Sequence, residues 1–465
     1  MPTDKPQLLA PADGRPNERI RRGASVALSD DDASEHSAPL VQPSRWPALR
    51  FEERPWTIPD SSSRSERRRL SDSYQAAVVS PIAGIERVPL PSEVEGLVAD
   101  ASAEIARFDA EVGADIAPFS SILLRSESAA SSRIENLTAS AKAIALAELG
   151  DLSRRNAAVI VANSRAMQAA LQLADHLDED AILAMHSALL ASTHPEWCGH
   201  WRTEQVWVGG SNWGPFEAQY VAPHHDRVPA AMADLVSFLD RDDMAPLTQA
   251  AVAHAQFETI HPFPDGNGRV GRALIHALLK GKGLTRQVTV PVSAGLLVET
   301  ESYFRSLDAY RQGDPAPLVR RLADASYAAI SNGRQLIGDL HTARAKWDDR
   351  IKARRDAAAW QLADLLLRQP IVDSRLLQQE WSAPARTAER AIDTLAEAGV
   401  LTKVSGNFRD RKWAANDVFR ALDDFASRAG RRGSPAPGYA AHRPTELRRG
   451  TAASPSPARG VDVVG

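Results

Sequence analysis

The sequence predicts a mainly α-helical protein with one short β-hairpin set into its helical body and a smaller α+β module towards its C-terminal end. Three observations carry this reading. From about Pro91 to Tyr327, apolar residues recur at three- and four-residue spacing, the rhythm of helices that bury one face. The rhythm breaks across residues 202–223, where Val206-Trp207-Val208 and Ala218-Gln219-Tyr220-Val221 flank the glycine-rich run Gly209-Gly210-Ser211-Asn212-Trp213-Gly214, a strand–turn–strand signature. Beyond Asp356, short helical patterns give way to Val400 through Val404, the turn Ser405-Gly406-Asn407, and Phe408 through Trp413, which together read as a two-stranded wing.

Taken in order, residues 1–73 are rich in Pro, Ser, Arg and Asp, with a charge run at 64–69. Such a segment buries too little to offset its ordering entropy and is expected to be disordered, although Trp46, Phe51 and Trp56 are spaced to dock onto the body. Residues 74–155 form an N-terminal helical region, with helices predicted over 94–112 and 144–149. Residues 156–330 form the principal core, with helices over 158–174, 181–190, 228–239 and 247–260, and a further apolar face at Val270, Ala273, Leu274, Ala277 and Leu278. Residues 331–355 connect this core to a module over 356–430. There a helix at 357–367 is ended by Gln369-Pro370, a second spans 374–381, and a third runs from Ser382 as N-cap, with Pro384 in its first turn, to Gly399. The Gly-, Pro-, Ala- and Ser-rich tail over 431–465 is expected to be disordered.

Composition bounds the function classes. The chain has 465 residues, 43% of them apolar, and a formal net charge of −4, so it has no global basic field for nucleic acid. Cys198 is the single cysteine; no disulfide can form within the chain, which fits a reducing compartment. No signal-peptide pattern and no membrane-length apolar stretch is present, so no membrane role is expected and the reading is a soluble, cytoplasmic protein. His194, Cys198, His200, His224 and His225 lie close in sequence but lack the second ligand pair of a structural zinc site. His254 and His276 read as packed, hydrogen-bonded histidines.

The chemistry concentrates in His261-Pro262-Phe263-Pro264-Asp265-Gly266-Asn267-Gly268-Arg269-Val270-Gly271-Arg272. A helical pattern stops at His261-Pro262 and a new one begins at Val270, so the run is a loop feeding a helix N-terminus. Free backbone N–H groups and the helix dipole favour an anion there. Gly266 and Gly268 allow close approach of backbone to that anion. Arg269 and Arg272 leave the first turn on one face, and their planar forks suit phosphate oxygens. Asp265 offers a carboxylate to Mg2+, which typically takes one or two carboxylates plus substrate phosphates. His261, ordinarily near pKa 6.5, is available as a base. The residues point to phosphoryl or nucleotidyl transfer.

This run resembles the signature of the Fic family, His-x-Phe-x-Asp/Glu-Gly-Asn-Gly-Arg-x-x-Arg, with every fixed position filled. The resemblance implies a Fic-type helical core that transfers AMP from ATP to a protein hydroxyl and releases pyrophosphate. It makes His261 the base that deprotonates a Ser, Thr or Tyr of the target, or of the chain itself, and Asp265 the Mg2+ ligand. The segment from Asp265 to Arg272, Val270 and Gly271 included, becomes the nucleotide-binding segment, with Asn267, Arg269 and Arg272 on the phosphates and Phe263 packed into the core. Relatives that phosphorylate instead usually carry Lys where this chain has Gly268. The resemblance also makes the hairpin around 206–221 a flap that holds the target by strand addition, and places Tyr303 and Phe304 on the adenine side.

Ser131-Ser132-Arg133-Ile134-Glu135-Asn136 is similar to the family's inhibitory pattern, Ser/Thr-x-x-x-Glu-Gly/Asn. By that resemblance Glu135 pairs with Arg272 and denies it to the γ-phosphate. The C-terminal module resembles a winged helix-turn-helix. Its third helix mixes Arg386 and Arg390 with Glu389, Asp393 and Glu397, while Arg409, Arg411 and Lys412 sit on the wing. DNA contact and docking of a protein, including a second copy to form a homodimer, are both open to it. Two alternatives stand beside an autoinhibited adenylyltransferase: a winged-helix regulator with a nucleotide-sensing core, and an enzyme that removes AMP with the same residues.

Overall fold

The computed structural model describes residues 46–57, 71–114, 118–210, 214–405 and 411–430. The charge run at 64–69, the flap tip Ser211 to Trp213, Arg409 on the wing and the tail from 431 lie outside the described residues.

The body is a stack of helices, as the periodicity predicts. α1 spans Ser92–Ala114, α2 Pro118–Ile134, α3 Ala141–Glu148, α4 Arg155–Gln172 and α5 Glu179–Leu190. After the flap come α6 Val228–Leu239, α7 Pro246–Ile260, α8 Asn267–Gly281, α9 Val292–Leu297, α10 Thr300–Arg311 and α11 Ala316–Asp348. α7 is the central rod: every residue from Leu247 to Ile260 is buried. Pro246 suits its first turn, where no N–H is needed, and Pro262 blocks its continuation. His261 closes it in the left-handed region, φ 52°, donating its backbone N–H to Phe257 O at 2.8 Å. Being buried on all sides, α7 must satisfy its polar side chains internally. Gln249 Nε2 caps α6 at the Phe238 and Leu239 carbonyls, and Gln256 joins Ser80 O to the Tyr310 hydroxyl.

The flap pairs β3, Trp207–Val208, with β4, Tyr220–Val221, in antiparallel register, Trp207 opposite Val221. It is shorter than the sequence predicts, with two residues on each strand. Residues 50–57 correct the expected boundary at 73. Arg50–Pro55 form β1, paired antiparallel to β2, Ser73–Val78, while Trp46 is buried against Tyr310 at 5.7 Å between ring centroids. The aromatic residues overcome a polar, charged composition: Trp56 meets Tyr74, Trp207 and Phe216 edge to face, so the hairpin braces the flap.

The C-terminal module contains α12 Ala358–Arg368, β5 Ile371–Val372, α13 Ser374–Trp381, α14 Ala385–Glu397, β6 Thr402–Ser405, β7 Lys412–Ala414 and α15 Asn416–Ala429. Three features differ from the sequence reading. β5 adds to the wing, making a three-stranded sheet in the order β5-β7-β6. Ser382 ends α13 in the left-handed region, φ 48°, rather than capping α14; Pro384 takes that N-cap position without a side-chain bond. α15 was not anticipated, although Val418, Leu422 and Phe425 repeat at helical spacing and are all buried.

α2 lies between this module and the catalytic region. Arg125 binds Glu148 with both Nε and Nη2, and donates to the Arg368 carbonyl at the end of α12. Arg133 donates to Ala426 O near the end of α15 at 2.9 Å. On its other side Glu127, fully buried, accepts from His276 Nε2 of α8 and from the N–H and hydroxyl of Ser293.

Candidate active site

The loop between α7 and α8 is shaped by its own side chains. Asn267 Oδ1 accepts from Phe263 N at 2.9 Å and its Nδ2 donates to Phe263 O at 2.8 Å. Asn267, expected on the phosphates, is buried with both polar atoms on the loop backbone. Phe263 is fully buried and stacks on His186, 3.7 Å between centroids and 2° between planes. His186 Nε2 meets Asp265 O at 3.1 Å. Burial pushes His186 down to about 4, so it is neutral at pH 7 and donates through Nε2 to that carbonyl. Gly266 takes φ +84°, and a Cβ there would meet Leu189 Cδ2 at 2.8 Å; the turn therefore requires glycine.

Both arginines point into one place and the same carboxylate occupies it. Glu135 Oε1 accepts from Arg272 Nη2 at 2.8 Å, and its Oε2 lies 2.8 Å from Arg269 Nε. Arg272 also donates from Nε to Ser131 Oγ and from Nη2 to Ser131 O. Arg269 Nη2 reaches both oxygens of Asp265, at 3.2 and 3.1 Å. The guanidinium groups are 2% and 3% exposed. Burial disfavours their charged forms, but the carboxylates, Glu135 foremost, outweigh it and hold both pKa values above the ordinary arginine value. A Cβ on Gly268 would meet Glu135 Oε1 at 2.5 Å, which places the carboxylate against the first turn of α8, where an anion is favoured. Asn136 explains how Glu135 reaches it: with φ 60°, it reverses the chain at the end of α2, a conformation open to Asn and Gly.

The sequence paired Glu135 with Arg272; its ion pair with Arg269, which lacks hydrogen-bond geometry, and the part of Ser131 as acceptor for Arg272, went unread. Two further residues were missed. Arg202, 2% exposed, donates to the carbonyls of His261, Glu204 and Pro223 at 2.8, 2.8 and 2.6 Å, tying the flap base to the loop. Burial lowers it to about 10, offset only in part by Tyr220 and the Glu204 carboxylate. Glu258 is 7% exposed, and its Oε2 lies 3.9 Å from His261 Nδ1. It stands one turn before His261 on α7, a spacing that could have flagged it.

His261 Nδ1 faces Glu258 O at 3.3 Å. A carbonyl only accepts, so Nδ1 carries the proton and Nε2 keeps the lone pair a base needs. Burial, then the Arg202 guanidinium, push His261 down to about 3. Asp265 is one-third exposed and close to the arginines. Among the described residues no group of three or more His, Cys, Asp or Glu could hold a metal; Asp265 alone fits Mg2+ only as a shared ligand with bound phosphates. Tyr303, expected on the adenine side, has a ring 1% exposed in the core behind Arg272, and its hydroxyl pairs with His254 Nε2 at 2.8 Å. Phe304 beside it is half-buried. Val270 and Gly271 are buried in α8; a Cβ on Gly271 would meet His254 Nδ1 and Phe257 Cδ1 at 3.0 Å, so Gly271 serves helix packing.

Residues 176–279 match the Fic/DOC family. The chain is 34% identical over 167 residues to protein adenylyltransferase fic-1 of Caenorhabditis briggsae, covering 35% of this chain and 29% of that one. It is 33% identical over 172 residues to the Caenorhabditis elegans protein of the same name, covering 36% and 30%. With protein adenylyltransferase Fic of Drosophila ananassae it shares 32% over 148 residues, 31% and 27% of the two chains. The match thus spans less than a third of each of these relatives. Among solved structures, a Fic family protein from Desulfovibrio desulfuricans G20 superposes with TM-score 0.46 at 23% identity, covering 70% of this chain and 97% of that one. Fic-1 from C. elegans gives 0.39 at 24%, covering 53% and 75%.

Proposed function

We propose that this chain, which carries a Fic domain across residues 176–279, is an autoinhibited protein adenylyltransferase. One observation carries the reading: a single carboxylate, Glu135, lies on both arginines at the α8 N-terminus, where the phosphates of a nucleotide would be held. ATP and Glu135 compete for the same cations. With the carboxylate withdrawn, Arg269 and Arg272 orient the phosphates and His261 Nε2 faces the incoming hydroxyl. The hydroxyl oxygen forms a bond to the α-phosphorus, the bond to the bridging oxygen breaks, its electron pair leaves with pyrophosphate, and the hydroxyl proton passes to Nε2. Asp265 would hold Mg2+, which when bound neutralises charge on the phosphates.

The flap supplies main-chain edges for a target segment near residues 206–221, giving affinity with little demand on sequence. The order α12, β5, α13, α14, β6, β7 supports a winged helix-turn-helix in the C-terminal module. On α14, Arg386, Glu389, Arg390 and Asp393 are all exposed; this mixed face suits a protein partner, a second copy among them, better than the phosphates of DNA. No helix among the described residues is long and apolar enough to cross a membrane.

Incubation of the full chain with ATP labelled on its α-phosphate tests the reading. Label that stays on protein through denaturation is expected, and more of it from Glu135→Gly. Label from γ-phosphate alone, or none with either chain, would sink it.

A further inference from the structure

Two buried polar atoms of α7 lack a hydrogen-bond partner, His254 Nδ1 and Glu258 Oε1, and of these only the second belongs to a carboxyl. Glu258 Oε1 has no hydrogen-bond partner and lies where a Cβ on Gly271 of α8 would meet it at 3.3 Å. Its other oxygen is 3.9 Å from His261 Nδ1, on the same edge of the ring that donates to Glu258's own carbonyl. An unpaired acceptor in a buried site is costly, and a charged one more so. Nothing in the packing requires a carboxyl here.

His261 meanwhile sits in surroundings that resist a positive charge: burial and the guanidinium groups of Arg202 and Arg311 all oppose the imidazolium. A base that must hold a proton in the transition state needs an opposing charge close by. Asp265 acts from a distance; Glu258 lies against the ring.

We propose that Glu258 is the positioning residue of the catalytic base, its carboxylate fixing the His261 ring through Nδ1 and stabilising the imidazolium that forms when Nε2 takes the target's hydroxyl proton. This rests on the adenylyl-transfer reading and adds a residue to it. As the hydroxyl oxygen bonds to the α-phosphorus and pyrophosphate leaves with the bridging electron pair, the proton on Nε2 is balanced by the Glu258 carboxylate. The proton then leaves to solvent or pyrophosphate, and the pair resets.

The arrangement implies a pH dependence. Burial pushes Glu258 up to about 7, Arg272 pulling it down and Glu135 pushing it up. The other groups that face it are His261 on α7's end, Tyr303 and Arg311 from α10, and Tyr220 from β4. Below its pKa the carboxyl is protonated and the counter-charge is absent, so transfer should rise as pH passes upward through about 7 with Glu135 in place, and through a lower pH in a chain without Glu135.

The test uses the full chain carrying Glu135→Gly, so that inhibition does not mask the step, and compares it with the same chain carrying Glu258→Gln or Glu258→Asp. Self-labelling is followed against ATP concentration and pH. With Glu258→Gln, kcat should fall about 10²-fold while the KM for ATP stays within about twofold, and the rise with pH should vanish. Glu258→Asp, a carboxylate one methylene shorter, should recover part of kcat and restore the rise. Equal kcat and an unchanged pH profile in Glu258→Gln would overturn the proposal. A second readout needs neither activity nor a substitution at Glu258: in the Glu135→Gly chain with 15N-labelled histidine, the His261 Nδ1 resonance should be that of a protonated nitrogen and should shift as a neighbouring group titrates near neutral pH. A bare Nδ1, or no such inflection, would overturn it as well. If the Glu135→Gly chain never labels, the adenylyl-transfer reading fails and the resonance still decides whether Glu258 addresses His261.

Discussion

Glu135 and Arg272 stand 137 positions apart in the chain and meet at 2.8 Å in a pocket where the arginine is 2% exposed. Ser131, one turn before Glu135, supplies two more acceptors to the same guanidinium. The last turn of α2 therefore solvates a buried cation at the mouth of α8. Any anion that displaces Glu135 inherits Arg269 as well, because the second carboxylate oxygen holds it.

Removing that carboxylate should release activity. Glu135→Gly is expected to raise self-labelling at least about tenfold, the equivalent of about 1.4 kcal/mol, less than the roughly 2–5 kcal/mol seen on truncating such pairs because ATP replaces the lost partner. Glu135→Gly combined with Arg272→Ala should lose the gain. Time courses with labelled ATP decide this, and a single variant no faster than the parent would make Glu135 an ordinary helix-end residue.

The same change should cost stability in the absence of nucleotide. Arg272 would retain Ser131 and Arg269 would retain Asp265, so the loss expected is about 1–3 kcal/mol. ATP at about a hundred times its dissociation constant should return about 2.7 kcal/mol. Thermal melts of both chains, with and without ATP, measure it; identical melts without nucleotide would contradict the pairing.

His261→Ala should lower transfer by roughly 10²–10⁴-fold and leave ATP affinity nearly unchanged, because the side chain meets the last turn of α7 at the Glu258 carbonyl and not the arginines. Titration calorimetry beside the labelling assay separates the two effects. Full labelling by the alanine variant would end the general-base assignment.

Asp265→Asn should cut activity sharply in Mg2+, since an amide is a poorer ligand for a hard cation bearing phosphates. The amide also loses charge against Arg269, so binding of ATP in EDTA should be measured alongside. Transfer in excess EDTA equal to that in Mg2+ would remove the metal from the proposal.

Helical periodicity located most of the body because α6, α12, α14 and the other amphipathic helices bury one face and show it in the spacing. α7 is buried on all sides, yet His261-Pro262 marked its end. The loop from His261 to Arg272 was legible because its residue types are tied to local backbone chemistry, and its helix-entry geometry follows from Gly266. Long-range facts were not legible. Whether Glu135 met one arginine or two depends on the packing of α2 against α8, and Tyr303 faced inward because His254 was waiting for its hydroxyl. β1 was hidden by its charges: its stability comes from Trp46 and Trp56 at either end rather than from an alternating apolar face. Ser382 has the residue type of a helix start, but the chain reverses there, and only the geometry of α13 and α14 together reveals a stop.

Arg133 and Glu135 leave the end of α2 on opposite sides, one to the close of α15 and the other to the catalytic arginines. At Gly430 a Cβ would overlap the Arg133 guanidinium. One turn of backbone thus belongs to two neighbourhoods, and neither can be altered privately. A lineage that shed the C-terminal module would uncover the back of its own off-switch, and one that enlarged residue 430 would press on it from behind. The divergence of the two modules is yoked at that turn, whatever each comes to recognise.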